Sequence, residues 1–531
     1  MPGAVPRLSL EEAKSRIERE ATLFPFHQLL KREALFKFVY YEKCCLNGNT
    51  PEDRVIWETD PLTLVKKDVG GYRVNTQKPS DVYSPENFDA FPIQGIWLPI
   101  ESCHVFTLLD HDQECPLISP DGRKILFLIH PSSQSIYQDL LSNPVLEKET
   151  CYALSLSSYR SLLVAIPNHK GQFDFAMVKV SLDQTIEGVH RLLSMKECKI
   201  SVANTAILRQ KIQEQASKGK ESLPISFVED VLSYVPKGCE AQGGMLYRPL
   251  PNCLNPPSNT ITVMPLLAFY GVKNRDLFEK LIADHGVSLT EFLRESLFAP
   301  LSKIFVEMLV YYQTSIQAHG QNLSLVLHNN QIQGFLYRDM GGVNQLITSE
   351  DQQAQLPHNL RDYPAYSYTE NHAKDVKKAF EEHFSQRALF PLTKQLCKSQ
   401  KSLEDSEFKH WFDFVKEAGL LSNWTTTLPD SIDDAHTIDL PARQAFCRYG
   451  YVEAWFARVM IDCLKRYKVA NEAEAIELER HFSQPEQLDD GSIVPPCSNI
   501  PFFEALATLI LEKRTLLLSE ETVNPSLQLG C

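Results

Sequence analysis

Basic charge is in short supply. Fifty-three Lys and Arg face 67 Asp and Glu, giving a formal net charge of −14 at pH 7 and a pI near 5.6. A nucleic-acid groove or a surface for anionic membranes needs a basic footprint to replace phosphate counterions, so neither is an expected partner. An anionic ligand has to be met by a local basic pocket. Long apolar runs are also lacking. Ile125-Leu-Phe-Leu-Ile129 is among the longest, far short of the roughly 20 residues a membrane helix requires. The opening Met1-Pro-Gly-Ala-Val-Pro-Arg-Leu-Ser-Leu-Glu-Glu-Ala13 has no apolar core of secretory length. The 13 cysteines are odd in number and scattered, and Cys44-Cys45 and Cys115 have no CxxC or Cys/His partners at metal spacing, which reads as reduced thiols and a cytoplasmic location. Cys531 is the last residue, so it is not a prenylation box. There is no Gly-rich phosphate loop and no His-Arg-Asp loop of a kinase-like phosphotransferase. Nor do histidines or carboxylates cluster at the i, i+3 or i+4 spacing of a metal hydrolase.

What is present is ordinary for a soluble globular chain: 531 residues, 43% hydrophobic and 23% charged, enough for two to four structural domains. Residues 8–45 carry helical apolar spacing (Leu8, Ala13, Ile17, then Leu30, Ala34, Leu35, Phe38), with Ser9 and Glu12 as a capping-box start. From about 54 to 180 short strand-like runs follow one another: Arg54–Trp57, Gly71–Val74, Gly95–Pro99, Val105–Leu109, Ile125–Ile129, Ser161–Ile166 and Phe173–Val180. Residues 186–234 read as helical. The proline- and asparagine-rich connector from Arg248 to Thr260 puts a boundary near 245–260. Beyond it helical patterns dominate (Leu277–His285, Leu289–Ala318, Ala373–His383, Glu407–Ala418, Arg443–Tyr467), interrupted by a strand pair, Ser324–Leu327 and Gly334–Tyr337, about the turn His328-Asn-Asn-Gln331. The fold class expected is α+β, with a mostly antiparallel sheet region and a helical C-terminal half.

The most informative segment is Ile316-Gln-Ala-His319-Gly-Gln321-Asn322, followed after a short apolar strand by Arg338-Asp339-Met-Gly-Gly342. Asp339, Asn322 and Gln321 offer hard oxygens to magnesium, and Arg338 offers a cation to a polyphosphate. The plain alternative is a helix-end cap beside a salt bridge. Upstream, in order, stand His130-Pro-Ser-Ser-Gln134, Ser158-Tyr-Arg160-Ser161, Lys179-Val-Ser181-Leu182 and Gly188-Val-His-Arg191-Leu-Leu-Ser194. His130 reads better as a core histidine bonded to backbone, and Ser158, Ser161, Ser181 and Ser194 equally well as turn or cap hydroxyls.

In order and spacing these segments resemble the siderophore synthetases that work without a peptide-synthetase template, the aerobactin-synthetase (IucA/IucC-like) family. That family runs through His-Pro-Trp-Gln, Ser-x-Arg-Thr, Lys-x-Ser-Leu, Gly-x-x-Arg-x-Leu-Ser, Glu-Ala-His-x-Gln-Asn and Arg-Asp-x-x-Gly segments. Its later Leu-Pro-x-Lys-x-x-x-x-x-Arg helix is similar to the run from Leu440 through Arg443 to Arg448. The resemblance spans about residues 80–460. It implies a palm, fingers and thumb architecture: a thumb-like helical region over 1–80, a sheet-rich fingers-like nucleotide-binding region over 81–250, a palm-like region over 251–480 and an extension over 481–531. It also implies ATP and Mg2+, a carboxylate (citrate or a related polycarboxylic acid) that is adenylated, and an amine or hydroxyl that attacks the acyl adenylate. His319, Arg160 and Lys179 would then be catalytic, Ser158, Ser161, Arg191, Gln321, Asn322 and Arg338 would bind the nucleotide, and Gln321 and Asp339 the metal. Dimers through the C-terminal helical part are expected from the resemblance, and Val452–Leu464 suits an interface or core.

The sequence departs from that pattern at ligand positions. The family's Gly-His-Pro-x-His-Pro-x-x-Lys run is absent, and residues 46–82 contain no histidine. Glu187 stands where a threonine is usual, Gln317 replaces the Glu of Glu-Ala-His, Ser132-Ser133 replaces a Trp, and Arg443 replaces a Lys. Two function classes therefore stand open: an active synthetase with an altered cleft, or a non-catalytic, repurposed homologue that binds a ligand or protein partner.

Overall fold

The computed structural model describes residues 8–44, 83, 88–110, 114–168, 170–186, 189–220, 222–254, 260–269, 275–287 and 292–363, with short stretches between 461 and 509, of which 470–483 is the longest. Ser9 caps helix α1 (Leu10–Arg19) through the reciprocal box with Glu12, and Ala13 and Ile17 are its buried face. Ala21–Lys31 winds as a 3-10 helix with Pro25 inside, where proline has no N–H to give an α-helical turn. Helix α2 (Glu33–Lys43) follows and packs on the sheets described next.

Eight strands form one antiparallel sheet: β1 (Phe91–Pro99), β2 (Cys103–Thr107), β3 (Lys124–Ile129), β4 (Glu147–Ser158), β5 (Ser161–Pro167), β6 (Phe173–Val180), then, beyond the two-residue strands β7 (Thr185–Ile186) and β8 (Val189–His190) and a third short strand β9 (Ile225–Phe227), β10 (Leu232–Pro236) and β11 (Met245–Arg248). Their spatial order is β2-β10-β11-β6-β5-β4-β1-β3. Alternation along β6 sends Phe175 and Met177 into one core and Ala176, Val178 and Val180 into the other, so the sheet is buried on both faces. A second sheet has the order β12-β14-β15-β9, with β12 (Ile261–Pro265), β14 (Leu323–His328) and β15 (Gln331–Tyr337) antiparallel and β9 added parallel to β15. Asn329 and Asn330 both have positive φ (49° and 63°), as a two-residue hairpin turn requires. A two-stranded ribbon pairs β13 (Thr314–Ile316) with β16 (Val343–Gln345).

The α+β class with a large antiparallel sheet is as the sequence indicates, and the strands at 95–99, 105–107, 125–129, 161–166 and 173–180 stand where alternation places them. Two helical readings are corrected. Within 186–234 only helix α3 (Met195–Ser217) is an α-helix. Ser194 and Glu197 cap its start, and Gly219, at φ +76°, lies just past its end, where an L side chain would be strained. Residues 225–227 and 232–236 are strands of two different sheets. The reading of Leu289–Ala318 as one helix fails at Val310, because Thr314–Ile316 pairs with β16 instead. The longest strand, β4, is not marked by alternation, because its first third, Glu147-Lys-Glu-Thr150, is largely solvent-exposed and polar. The strands expected at 54–57 and 71–74, the helices expected at 373–383 and 407–418, and most of those at 443–467 lie outside the described residues.

Candidate functional site

Four basic side chains gather where the ends of the large sheet face the second sheet. Tyr159 and Arg160 are the two-residue turn between β4 and β5, with Ser158 and Ser161 paired across it. Lys179 on β6 stands opposite Ser161 on one side and Leu246 of β11 on the other. Arg248, the last residue of β11, pairs with Met177 and so shares the face of Lys179. Arg191 follows β8, and its carbonyl accepts the Nη1–H of Arg160 at 2.8 Å. Two carboxylates meet Lys179 and Arg248. Lys179 Nζ lies 2.7 Å from Asp339 Oδ1, Arg248 Nη2 lies 3.6 Å from the same oxygen, and Arg248 is also bound to the buried Asp230.

Asp339 follows β15 in the left-handed region, at φ 82°, a conformation that Asp tolerates better than most residues. Local bonds hold it there: its carbonyl accepts the Gly342 N–H and the Tyr337 hydroxyl, and Asn204 of α3 donates to the carbonyls of Met340 and Val343. The Asp339 side chain keeps 30% exposure, so it is within reach of a ligand. Gly243, at φ +85°, shapes the neighbouring turn: a Cβ there would lie 2.1 Å from the Leu193 carbonyl oxygen. This close approach lets Ser181 Oγ bridge the Leu193 N–H and the Gly244 carbonyl, tying the segment of Arg191 to the strand of Arg248.

The electrostatics follow from crowding. Burial lowers the pKa of Lys179, and Arg160 and Arg248 lower it further, against the opposing pull of Asp339. Burial likewise lowers Arg160, with Arg191 and Arg248 adding to the effect. At Asp339 burial acts upward, but Lys179 and Arg248 outweigh it and hold the carboxyl below its usual range. Three cations, Lys179, Arg248 and Arg160, thus act on Asp339, and Arg191 stands beside Arg160, a local concentration of positive charge inside an acidic protein.

The other expected residues fall into an adjoining network. Gln321 and Asn322 lie on the turn entering β14, where Gln321 Nε2 donates to the Ser157 carbonyl and the buried Asn322 donates to the Gln317 carbonyl. His319 is half-buried on the same turn, and its carbonyl receives the N–H groups of Asn322 and Leu323. Arg338 stands in the same network. Its Nε and Nη2 donate to the Gln321 carbonyl, Nη1 to both carboxylate oxygens of Glu42, and Nη2 also to Ser157 Oγ. All five guanidinium hydrogens are engaged within the protein, which clamps Glu42, Ser157 and Gln321 together. His130 is a core histidine, 1% exposed, whose Nδ1 accepts the Ser132 N–H. Ser181 bridges two backbone segments, and Ser194 caps α3. Glu187 and Arg443 lie outside the described residues.

Glu42, Asp230 and Arg248 are absent from the sequence-based set. Glu42 carries a signal: it continues the apolar stripe Leu35, Phe38, Val39 of α2, and a carboxylate on such a stripe needs a buried partner. Asp230 is hidden within a stretch of helical texture, and Arg248 at the start of the proline-rich connector.

A family model described as ferric iron reductase FhuF-like transporter matches residues 295–406. No curated protein matches the chain in sequence. Among solved structures, the aerobactin synthetases IucA and IucC from a hypervirulent pathotype of Klebsiella pneumoniae are each 14% identical; the match with IucA covers 77% of either chain at a TM-score of 0.48, and that with IucC covers 94% of this chain and 86% of the other at 0.49. The petrobactin biosynthesis protein AsbB from Bacillus anthracis str. Sterne is 13% identical over 80% of this chain and 74% of its own, at a TM-score of 0.51. The likeness to AsbB shows that the chain shares the fold of that protein. Among the described residues no helix is long and apolar enough to cross a membrane.

Proposed function

We propose that this protein is an ATP- and magnesium-dependent synthetase of the siderophore type, joining a carboxylate such as citrate or a related polycarboxylic acid to an amine or hydroxyl. The observation that carries this reading is the cation cluster of Lys179, Arg248 and Arg160 around Asp339, with Arg191 beside Arg160, in a chain of net charge −14. A polyanionic nucleotide and a polyanionic acid can share a cleft only if cations are concentrated there. In the reaction a carboxylate oxygen of the acid bonds the α-phosphorus as pyrophosphate leaves. The nucleophile then bonds the acyl carbon, loses its proton, and AMP departs.

Arg160 and Arg191 would hold phosphate oxygens in the planar manner of guanidinium groups, and Lys179 would act as a point charge that moves from Asp339 to the ligand. His319 would meet the charge that develops at the α-phosphate, with Ser158 and Ser161 flanking the Arg160 turn. Magnesium fits the donor chemistry in a limited way. Among the described residues no group of three His, Cys, Asp or Glu could hold an ion, so Asp339, the Gln321 amide oxygen and phosphate oxygens would form the ligand set, as is usual for this metal. Bound there, it would neutralise charge on the phosphates.

The test is ATP/pyrophosphate exchange across a panel of carboxylic acids, citrate included, beside calorimetric titration of ATP with magnesium. Acid-dependent exchange is expected in the unaltered protein. Lys179→Ala and His319→Ala should each weaken ATP binding by about tenfold or more, the effect of removing one charged hydrogen bond to the ligand. Unchanged affinity in both variants would refute the assignment.

A further inference from the structure

Glu42 is fully buried, at 0% exposure, near the C-terminal end of α2. Its carboxylate receives both Nη1 hydrogens of Arg338, at 2.9 and 2.8 Å, and the Ser157 backbone N–H at 2.6 Å. From Arg338 the hydrogen bonds continue to the Gln321 carbonyl, and Gln321 Nε2 returns to the Ser157 carbonyl, closing a ring. The Arg338 backbone N–H is fixed as well, on the Asn322 carbonyl at 2.9 Å. The ring joins α2, the end of β4, the turn before β14 and the end of β15. Two of its members border the cation cluster. Ser157 lies three residues before Arg160, and Arg338 is the residue before Asp339. Because Asp339 sits at φ 82°, its direction depends on where the preceding residue is held.

We propose that Glu42 is a positioning residue: through Arg338 it sets the turn that aims Asp339 at Lys179 and Arg248, and through Gln321 and Ser157 it fixes the approach to Arg160. This rests on the nucleotide-binding reading above. The geometry favours such a role because the partners of Glu42 are next to residues of the cluster along the chain or bonded to their neighbours. Its buried charge is spent on the Ser157 N–H at the end of β4 and on Arg338 at the start of the Asp339 turn, the two places where the cluster is anchored.

The test compares the unaltered full-length protein, Glu42→Asp, Glu42→Gln, and the double variant Glu42→Leu with Arg338→Met, in which apolar side chains fill the space of the ion pair. Thermal melting, calorimetric titration with ATP and magnesium, and hydrogen exchange over residues 338–343 are measured on each. Glu42→Asp keeps the charge but is one methylene too short for all three bonds, so it should fold, bind ATP about tenfold more weakly, in the range expected for residues that orient ligand-binding groups, and exchange the Gly342 amide faster. The double variant should regain melting temperature without regaining affinity. Wild-type affinity and exchange in Glu42→Asp, or affinity restored together with stability in the double variant, would overturn the proposal. If the unaltered protein binds no ATP, the nucleotide reading fails and this inference fails with it; ATP binding that is indifferent to all three variants is the failure of the positioning role alone.

Discussion

Single residues carry most of the chemistry, and His130 shows how differently the same residue type can serve. Its ring packs edge-on against Tyr83 and Phe91, and burial lowers its pKa to about 3. The unfolded chain takes up a proton near pH 6.5 that the folded chain refuses, so stability is full above that pH and falls as pH drops toward 3. The slope is about 1.4 kcal/mol per pH unit for one such group. His130→Asn offers the Ser132 N–H a neutral acceptor and removes the titration. Urea midpoints measured between pH 7 and 5 should fall more steeply for the unaltered protein than for this variant, and parallel curves would assign the acid sensitivity elsewhere. His130 is legible in the sequence as a core residue, and Arg160, Lys179 and Asp339 are legible as neighbours because their local motifs recur in a known order. The partners of Arg338 are not legible, since an Arg-Asp pair in sequence cannot reveal that the two side chains point into different networks. That distinction depends on Glu42, almost 300 residues earlier in the chain.

At the scale of elements, capping chemistry and turn chemistry are readable and pairing is not. Ser9 with Glu12 and the Asn329-Asn330 turn announce their structures locally. The strands β9 and β10 do not, because each is short and owes its state to a distant partner, β15 for one and β2 for the other. The turn at Gly243 is a similar case, ordinary in sequence and required in space. Gly243→Ala would place a methyl group against the Leu193 carbonyl in a backbone region disfavoured for L residues. The backbone strain alone costs about 1–3 kcal/mol, and relief of the clash would separate Arg191 from Arg248. A lowered melting temperature is expected, accompanied by weaker ATP binding. An unchanged melting curve would show that the turn opens without cost.

Over the whole molecule the connector at 248–260 suggests a cut between two domains, but the chain crosses it in space. After α3 the backbone supplies β9 to the second sheet, then returns to the first for β10 and β11. Residues 1–250 expressed alone would leave β9 without β15, and 251–531 alone would leave the Asp339 turn without Asn204 and Lys179. Neither piece should give a cooperative melting transition by itself, whereas co-expression of the two should recover one; a sharp transition from the first piece would show that its sheet is self-sufficient.

If the proposed cleft binds ATP, the carboxylate of Asp339 would also act as a valence filter. Before any ligand arrives, Lys179 already has a negative partner at 2.7 Å. A monoanion such as chloride or acetate can offer the lysine little more than it already holds, and exchange brings no gain. A ligand with several linked negative charges can engage Lys179, Arg160 and Arg191 together, and so can displace the resident carboxylate. Discrimination against small monoanions would thus be provided by the protein's own counter-ion.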